Sequence, residues 1–311
     1  MAHAESLLLT QVVQMLDPRA ALLRAWALKG GISSRMTVLE YSVEGERRRV
    51  VLRQPDGALY QNPQAATNEF ALLQSLAGSG LPAPASYVLC ESNEPLGAPF
   101  LLIGYIDGAP DFAKAIGSDS IRQFASQLAQ IHRTPFVGTA LESLPRYVPR
   151  FIHQRERAYP DASLRGVEIR DALRRWWAPR TANGPTLLHG DYWPGNVLWN
   201  GGRLVGVVDW EESGIGDPLA DLAIARLEML WTFGPDAMHA FTQQYATLSS
   251  FDLDDLPYWD LDAALRPVFN LGEWAAGWPE LGRPDVTTDT MRGAHRTFVD
   301  MAFDALSRER R

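Results

Sequence analysis

Cysteine is almost missing from this chain. Cys90 is the only one among 311 residues, which excludes an internal disulfide and any cysteine-rich metal site and points to a reducing compartment. Positive charge is also scarce: 29 Lys and Arg face 37 Asp and Glu, a formal charge of −8. A chain without a basic excess is poorly suited to neutralising a phosphate backbone, so no nucleic-acid partner is expected. No apolar run approaches the length of about 18 residues that a membrane helix needs. The opening Met1-Ala2-His3-Ala4-Glu5 lacks the basic start of a signal peptide. The expectation is a cytoplasmic protein with no membrane partner. What is present is ordinary for a globular chain, with 46% hydrophobic and 21% charged residues, and the length suits two lobes rather than one core.

The order of local patterns divides the chain. Leu8, Val12, Met15, Leu22 and Leu23 recur at roughly helical spacing and predict a leading helical segment. Runs 36–43 and 49–53 flank Glu44-Gly45-Glu46 and read as two strands joined by a turn. Ala66, Phe70, Leu73 and Leu76 mark an amphipathic helix that carries Glu69, with Pro63 near its first turn. Segments 86–90 and 100–106 read as further strands, and beyond Asp107-Gly108-Ala109-Pro110 the pattern becomes mainly helical. The expectation is an α+β chain with an N-terminal sheet lobe at 1–103, a connection at 104–108 and a larger helical lobe at 109–311.

The segment richest in chemistry begins His189-Gly190-Asp191-Tyr192-Trp193-Pro194-Gly195-Asn196. Four residues separate Asp191 from Asn196. That is the spacing of the kinase catalytic loop, in which the Asp orients or deprotonates the attacking hydroxyl and the Asn holds magnesium. Pro194-Gly195 argues against a helix here. Val197-Leu198-Trp199 and 204–208 then flank Asn200-Gly201-Gly202-Arg203 as a hairpin. A two-residue turn at 201–202 sets position 196 opposite 207. Period-two alternation then puts Asn196, Val207 and Asp209 on one ribbon face, diagonal neighbours lying about 7–8 Å apart. Asn196 and Asp209 are therefore candidate ligands of one magnesium ion, which takes few carboxylates and completes its shell with phosphate and water. Further on, Asp217 is a natural helix N-cap before Pro218. Asp221, one turn later, either faces the catalytic loop or favours the helix dipole.

Together, His189 to Asn196, Asp209-Trp210 and Gly216-Asp217-Pro218-Leu219-Ala220-Asp221-Leu222-Ala223 resemble the aminoglycoside phosphotransferase family of small-molecule kinases. The resemblance implies a protein-kinase-like two-lobed fold with Asp191 as catalytic base and Asn196 and Asp209 on magnesium. In it, His189 supports the loop and takes no part in proton transfer. The resemblance also places Gly31, Ser33 and Ser34 in a loop over the ATP phosphates, where backbone N–H groups make an anion-binding concavity. The adenine falls beside Gly104 and Ile106, and Leu128 to His132 match a helical signature in which His132 packs or caps. One departure stands out. Kinases place a lysine on the third strand, paired with a helix glutamate, yet this chain has only Lys29 and Lys114. Arg53 takes that position, with Glu69 as its expected partner, and a guanidinium is bulkier and differently shaped.

These readings imply an ATP- and magnesium-dependent phosphotransferase acting on a hydroxyl of a small molecule that is aminoglycoside-, macrolide-, sugar- or amino-alcohol-like. GTP in place of ATP and the oligomeric state are left open. Trp231, Glu273, Trp274, Trp278 and Glu280 are candidates for an acidic, aromatic acceptor site, with packed aromatics and solvated carboxylates as the plainer alternative. The rival function is a pseudokinase that binds nucleotide without transfer, suggested by the missing lysine. A metallohydrolase lacks a multi-histidine ligand set, and a serine hydrolase lacks a Gly-x-Ser-x-Gly elbow.

Overall fold

A computed structural model describes residues 3–28, 34–55, 65–92, 94–113, 115–153, 160–178 and 183–309. The chain divides into two compact units, one comprising residues 1–107 and 206–211, the other 108–205 and 212–311.

The first unit opens with helix α1 (His3–Gln14), followed by strands β1 (Ala21–Ala27), β2 (Ser34–Val43) and β3 (Glu46–Pro55), helix α2 (Ala65–Leu76), and strands β4 (Ser86–Cys90) and β5 (Phe100–Gly104). The strands form one antiparallel sheet in the order β1-β2-β3-β5-β4. The β2–β3 turn has Glu44 and Gly45 at φ 52° and 88°, the left-handed pair that matches the twist of a two-residue hairpin. Period-two alternation sends Leu39, Tyr41, Val43, Val50, Leu52, Phe100 and Leu102 into one cluster with Leu9, Val12 and Val13 of α1. Arg53 is odd relative to Leu52 and so belongs to the opposite face, on the central strand β3.

The expected leading helix is too long. Helix α1 stops at Gln14, and Leu22 and Leu23 lie in the edge strand β1, paired with β2. The i→i+3 bonds Met15 N to Val12 O and Leu16 N to Val13 O tighten the helix end, and Ala20 N to Asp17 O closes a turn around Pro18. Pairing with β2 then overrides a leucine spacing that fits either state. The segment 100–106 likewise ends as a strand at Gly104.

The second unit holds α3 (Ser118–Arg133), α4 (Arg150–His153), α5 (Gly166–Trp176), β6 (Thr186–Leu188), β7 (Val197–Asn200), β8 (Arg203–Val207), β9 (Gly214–Gly216), α6 (Pro218–Phe233), α7 (Pro235–Leu248), α8 (Leu256–Ala264), α9 (Leu271–Gly277) and α10 (Thr288–Glu309); the last two residues of β8 pass into the first unit. Strands β6 and β9 pair antiparallel, as do β7 and β8, through Gly201 and Gly202 at φ 55° and 75°. Helix α6 is central: every residue from Pro218 to Thr232 is buried, which fits the apolar majority of its sequence, with Asp221, Arg226 and Glu228 as buried charged residues. Among the described residues no helix is long and apolar enough to cross a membrane.

The ribbon argument for Asn196 and Asp209 does not hold as geometry. Asn196 closes a 3-10 turn, Pro194–Asn196, ahead of β7, and Asp209 lies past the end of β8 with φ at 64°. Alternation with period two therefore reaches neither residue. The left-handed conformation at Asp209 is one that a short polar side chain tolerates, and the Trp210 Nε1 donating to Val207 O at 2.8 Å holds the bend.

Candidate active site

Asp191 and Asn196 meet within the second unit. The loop that carries them runs from β6 to β7, and its backbone is pinned from below by α6. Asp217 caps that helix by accepting Leu219 N at 2.9 Å, with Pro218 next. One turn on, the fully buried carboxylate of Asp221 accepts the His189 N–H at 2.6 Å and the Gly190 N–H at 2.8 Å. Of the two roles open for Asp221, it takes the one facing the loop. Burial opposes its charge, but His132, with Nε2 at 3.4 Å from Asp221 Oδ2, and His189 hold its pKa below the ordinary carboxylate range. His132 in turn pairs through Nδ1 with the Tyr245 hydroxyl at 2.6 Å. This is the packing role expected for it.

Gly190 is required by its own geometry. Its φ is 84°, and a Cβ there would sit 2.1 Å from Glu212 O, so only glycine lets the chain turn toward Asp191. His189 is buried and its Nδ1 accepts the Asp191 N–H at 3.3 Å. Tyr192 points into the core and donates to Phe124 O at 2.9 Å, which anchors the loop immediately beyond Asp191. The Asn196 Nδ2 then donates to Asp191 O at 2.9 Å and lies 3.3 Å from Asp191 Oδ2. With its nitrogen so engaged, Asn196 keeps its amide oxygen for another partner.

The other Asp191 oxygen, Oδ1, accepts from Arg266 Nη2. Arg266 also donates through Nη1 to Glu228 Oε1 at 3.2 Å, and its guanidinium lies 5.6 Å from the Trp274 ring centre. Burial pushes the Glu228 carboxyl up to about 7, with Arg266 opposing and Asp191 adding to the rise. Neither residue was a candidate from the sequence. Glu228 had a signal, since it sits seven residues after Asp221 on a helix that is otherwise largely apolar. Arg266 had none, because 75 residues separate it from Asp191.

The first unit brings together Arg53, Glu69 and Asp209. Arg53 is buried on β3 and donates through Nη1 to Glu69 Oε1 at 2.6 Å and through Nη2 to Glu211 Oε2 at 2.6 Å, with Asp209 Oδ1 at 3.5 Å from Nη2. The fork explains what arginine does here that lysine would not: its two terminal nitrogens reach α2 on one side and the 209–211 bend on the other. Burial works against the Arg53 charge, yet Glu69, Asp209 and Glu211 hold its pKa above the ordinary value. Burial pushes the Glu69 carboxyl up to about 7, with Arg53 opposing. Glu211, directly after Asp209-Trp210, is a contact that sequence reasoning missed.

The remaining candidates are less informative. Gly31 and Ser33 lie outside the described residues, and Ser34 is placed only as the first residue of β2, opposite Pro55. Gly104 ends β5 with its N–H donating to Ala85 O at 2.6 Å, and Ile106 follows in the half-buried connection. Of the proposed acceptor residues, Trp231 and Trp278 are buried, and Trp231 donates to Met291 O at 3.0 Å. Glu273 and Glu280 are exposed, which is the plainer of the two alternatives. Trp193 folds back over Gly195, where a Cβ would meet its ring at 2.2 Å, and packs against Phe112 and Trp278.

Oxygen donors such as the Asn196 amide and the Asp209 carboxylate suit a hard cation. Among the described residues no three His, Cys, Asp or Glu side chains gather tightly enough to hold an ion alone.

Comparison with known proteins bears on the family and the fold. The model of the phosphotransferase enzyme family matches residues 29–259. The structure of macrolide 2′-phosphotransferase MphH from Brachybacterium faecium is 18% identical, covering 92% of this chain and 98% of that one at a TM-score of 0.60. A thermostable mutant of aminoglycoside phosphotransferase APH(4)-Ia, in ternary complex with AMP-PNP and hygromycin B, is 17% identical, covering 94% and 97% at a TM-score of 0.62. At such identities the likeness speaks for the fold, which is α+β and protein-kinase-like. Among curated proteins, acyl-CoA dehydrogenase family member 10 of Mus musculus is 28% identical over 58% of this chain. Member 11 of Gallus gallus is 26% identical over 61%. The matches span only 18% and 26% of those relatives' own lengths.

Two outcomes follow from the second unit. Gly190→Ala combines a left-handed backbone with overlap at Glu212 and is expected to cost about 2 kcal/mol or more; a urea midpoint equal to wild type would contradict the turn geometry. Glu228 holds its proton more tightly folded than unfolded, so its contribution to stability is full below about pH 4.5 and is lost as pH rises through about 7. Relative to wild type, Glu228→Gln should therefore gain stability between pH 5 and pH 8, by an amount on the order of 3 kcal/mol at most. Urea titrations at the two pH values check this, and a difference that does not change with pH refutes it.

Proposed function

Because this chain belongs to the phosphotransferase enzyme family, we propose that it transfers the γ-phosphoryl group of ATP to a hydroxyl of a small molecule, with magnesium as cofactor. The observation that carries the reading is the Asp191 carboxylate, partly exposed on a loop whose backbone Asp221 fixes and whose far end Asn196 closes. In-line transfer asks little covalent chemistry of a protein and much positioning, and a rigid loop presenting one carboxylate supplies that.

In this proposal Asp191 accepts the hydrogen bond of the acceptor hydroxyl and takes its proton. A bond forms from the acceptor oxygen to the γ-phosphorus as the bond to the bridging oxygen breaks, and ADP leaves. Asn196 and Asp209 are the protein ligands of magnesium, which when bound neutralises charge on the phosphate oxygens. Arg53, kept charged by Glu69 and Glu211, pairs with the remaining phosphates; Gly31, Ser33 and Ser34 cover them; and the backbone at Gly104 and Ile106 meets the adenine. The acceptor is aminoglycoside-, macrolide-, sugar- or amino-alcohol-like. Because the curated relatives are named as acyl-CoA dehydrogenase family members, an acyl-CoA that carries a hydroxyl is included as a second acceptor class. Hydride transfer is not part of the proposal, since the family match is to phosphotransferases.

The test is ADP release from Mg·ATP across a panel of aminoglycosides, macrolides, sugars, amino alcohols and hydroxyacyl-CoA thioesters. At least one acceptor should raise the rate well above that with water, and Asp191→Asn should lower kcat about 10²–10⁴-fold while nucleotide still binds. Tight nucleotide binding with no transfer to any acceptor would favour the pseudokinase instead. Unchanged turnover in Asp191→Asn would remove Asp191 from the mechanism.

A further inference from the structure

Asp191 is held by more than its loop. Its Oδ2 lies 3.3 Å from the Asn196 amide nitrogen, and its Oδ1 accepts from Arg266. Arg266 begins the 3-10 turn Arg266–Val268 just after α8, and its side chain is 13% exposed, against 25% for Asp191 and 10% for Glu228. One terminal nitrogen serves Asp191 and the other Glu228, while the Trp274 ring lies near the guanidinium. A planar fork engaged at both tips, with an aromatic ring beside it, has little freedom to rotate.

Helix α6 is the common support. Asp221 and Glu228 are seven residues apart, two helical turns, so they share a face of α6. Asp221 takes the loop backbone at His189 and Gly190, and Glu228 takes Arg266, which takes the Asp191 side chain. One buried helix thus fixes both the main chain and the carboxylate of the same loop.

Stability is a poor reason for such an arrangement. Burying an arginine between two carboxylates removes three groups from water, and apolar residues of similar volume often serve a core as well or better. What a fork supplies and an apolar side chain does not is a fixed direction for each partner.

We propose that Arg266, anchored by Glu228, is the positioning residue for Asp191, setting the rotamer in which its carboxylate meets the acceptor hydroxyl. The inference rests on the phosphotransfer reading for its functional part. Its structural part, that Arg266 dictates where the Asp191 carboxylate lies, stands apart from it.

Two variants and two measurements test it. Arg266→Met removes the fork; Arg266→Lys keeps the charge, loses the second arm and guards against a methionine variant that fails to fold. In crystal structures of the variants, the Asp191 carboxylate is expected to leave its wild-type position or to take several. A carboxylate unmoved in Arg266→Met, or in Arg266→Lys should the first not fold, overturns the proposal. In turnover of Mg·ATP with water as the acceptor, Arg266→Met is expected to lose about 100-fold or more in kcat with the KM for ATP changed less than about threefold. Arg266→Lys is expected to recover thermal stability but no more than a tenth of kcat. Lysine restoring kcat and stability together would show a merely structural charge and overturn the proposal. The crystallographic comparison needs no turnover, so it decides the positioning claim even where the ADP-release panel defeats the phosphotransfer reading.

Discussion

A single buried carboxylate organises the second unit. Asp221 is fully enclosed in α6, and it stays charged there because two backbone N–H groups and the His132 ring surround it. A buried charge left without partners costs several kcal/mol, so the loop that satisfies Asp221 is as constrained by the helix as the helix is by the loop. The cap at Asp217 and the glycine at 190 follow from the same arrangement. One starts the helix in register for Asp221, and the other lets the backbone present two successive N–H groups to it.

The first unit solves a different electrostatic problem with a similar device. Arg53 sits on the central strand, on the sheet face opposite the α1 cluster, where a lone cation would be unfavourable. Glu69 comes from a helix and Glu211 from the bend after Asp209, so the guanidinium joins elements 158 residues apart in sequence. A lysine amine is a point charge on a flexible stem and would not define two directions at once. Arg53 therefore has a carboxylate at each of its two terminal nitrogens, Glu69 at one and Glu211 at the other.

Much of this was legible before any coordinates. The helix start at Asp217-Pro218 and the two hairpins rest on local rules, namely capping chemistry and glycines or short turns where φ is positive, while the Arg53–Glu69 pairing came from the kinase pattern. What failed did so for tertiary reasons. Leu22 and Leu23 fit a helical spacing, but an available edge of β2 claims them as a strand. The ribbon face assigned to Asn196 and Asp209 assumed that strands continue where one residue is in a 3-10 turn and the other turns left-handed. Arg266 and Glu211 act across 75 and 158 residues, distances over which no periodicity speaks. Glu228 is the instructive case, because a glutamate two turns after Asp221 on a largely apolar helix is a signal in the sequence, whereas its partner Arg266 is set by tertiary structure alone.

The chemistry at Asp191 is the claim on which the functional account depends, and phosphorus NMR addresses it without reliance on ADP counting. With Mg·ATP and an acceptor mixture, wild-type protein should build a new phosphomonoester resonance in step with the loss of the γ-phosphate signal, and a variant lacking the Asp191 carboxylate should not. Loss of γ-phosphate matched only by inorganic phosphate, or no loss at all while nucleotide stays bound, would contradict transfer to a small-molecule hydroxyl.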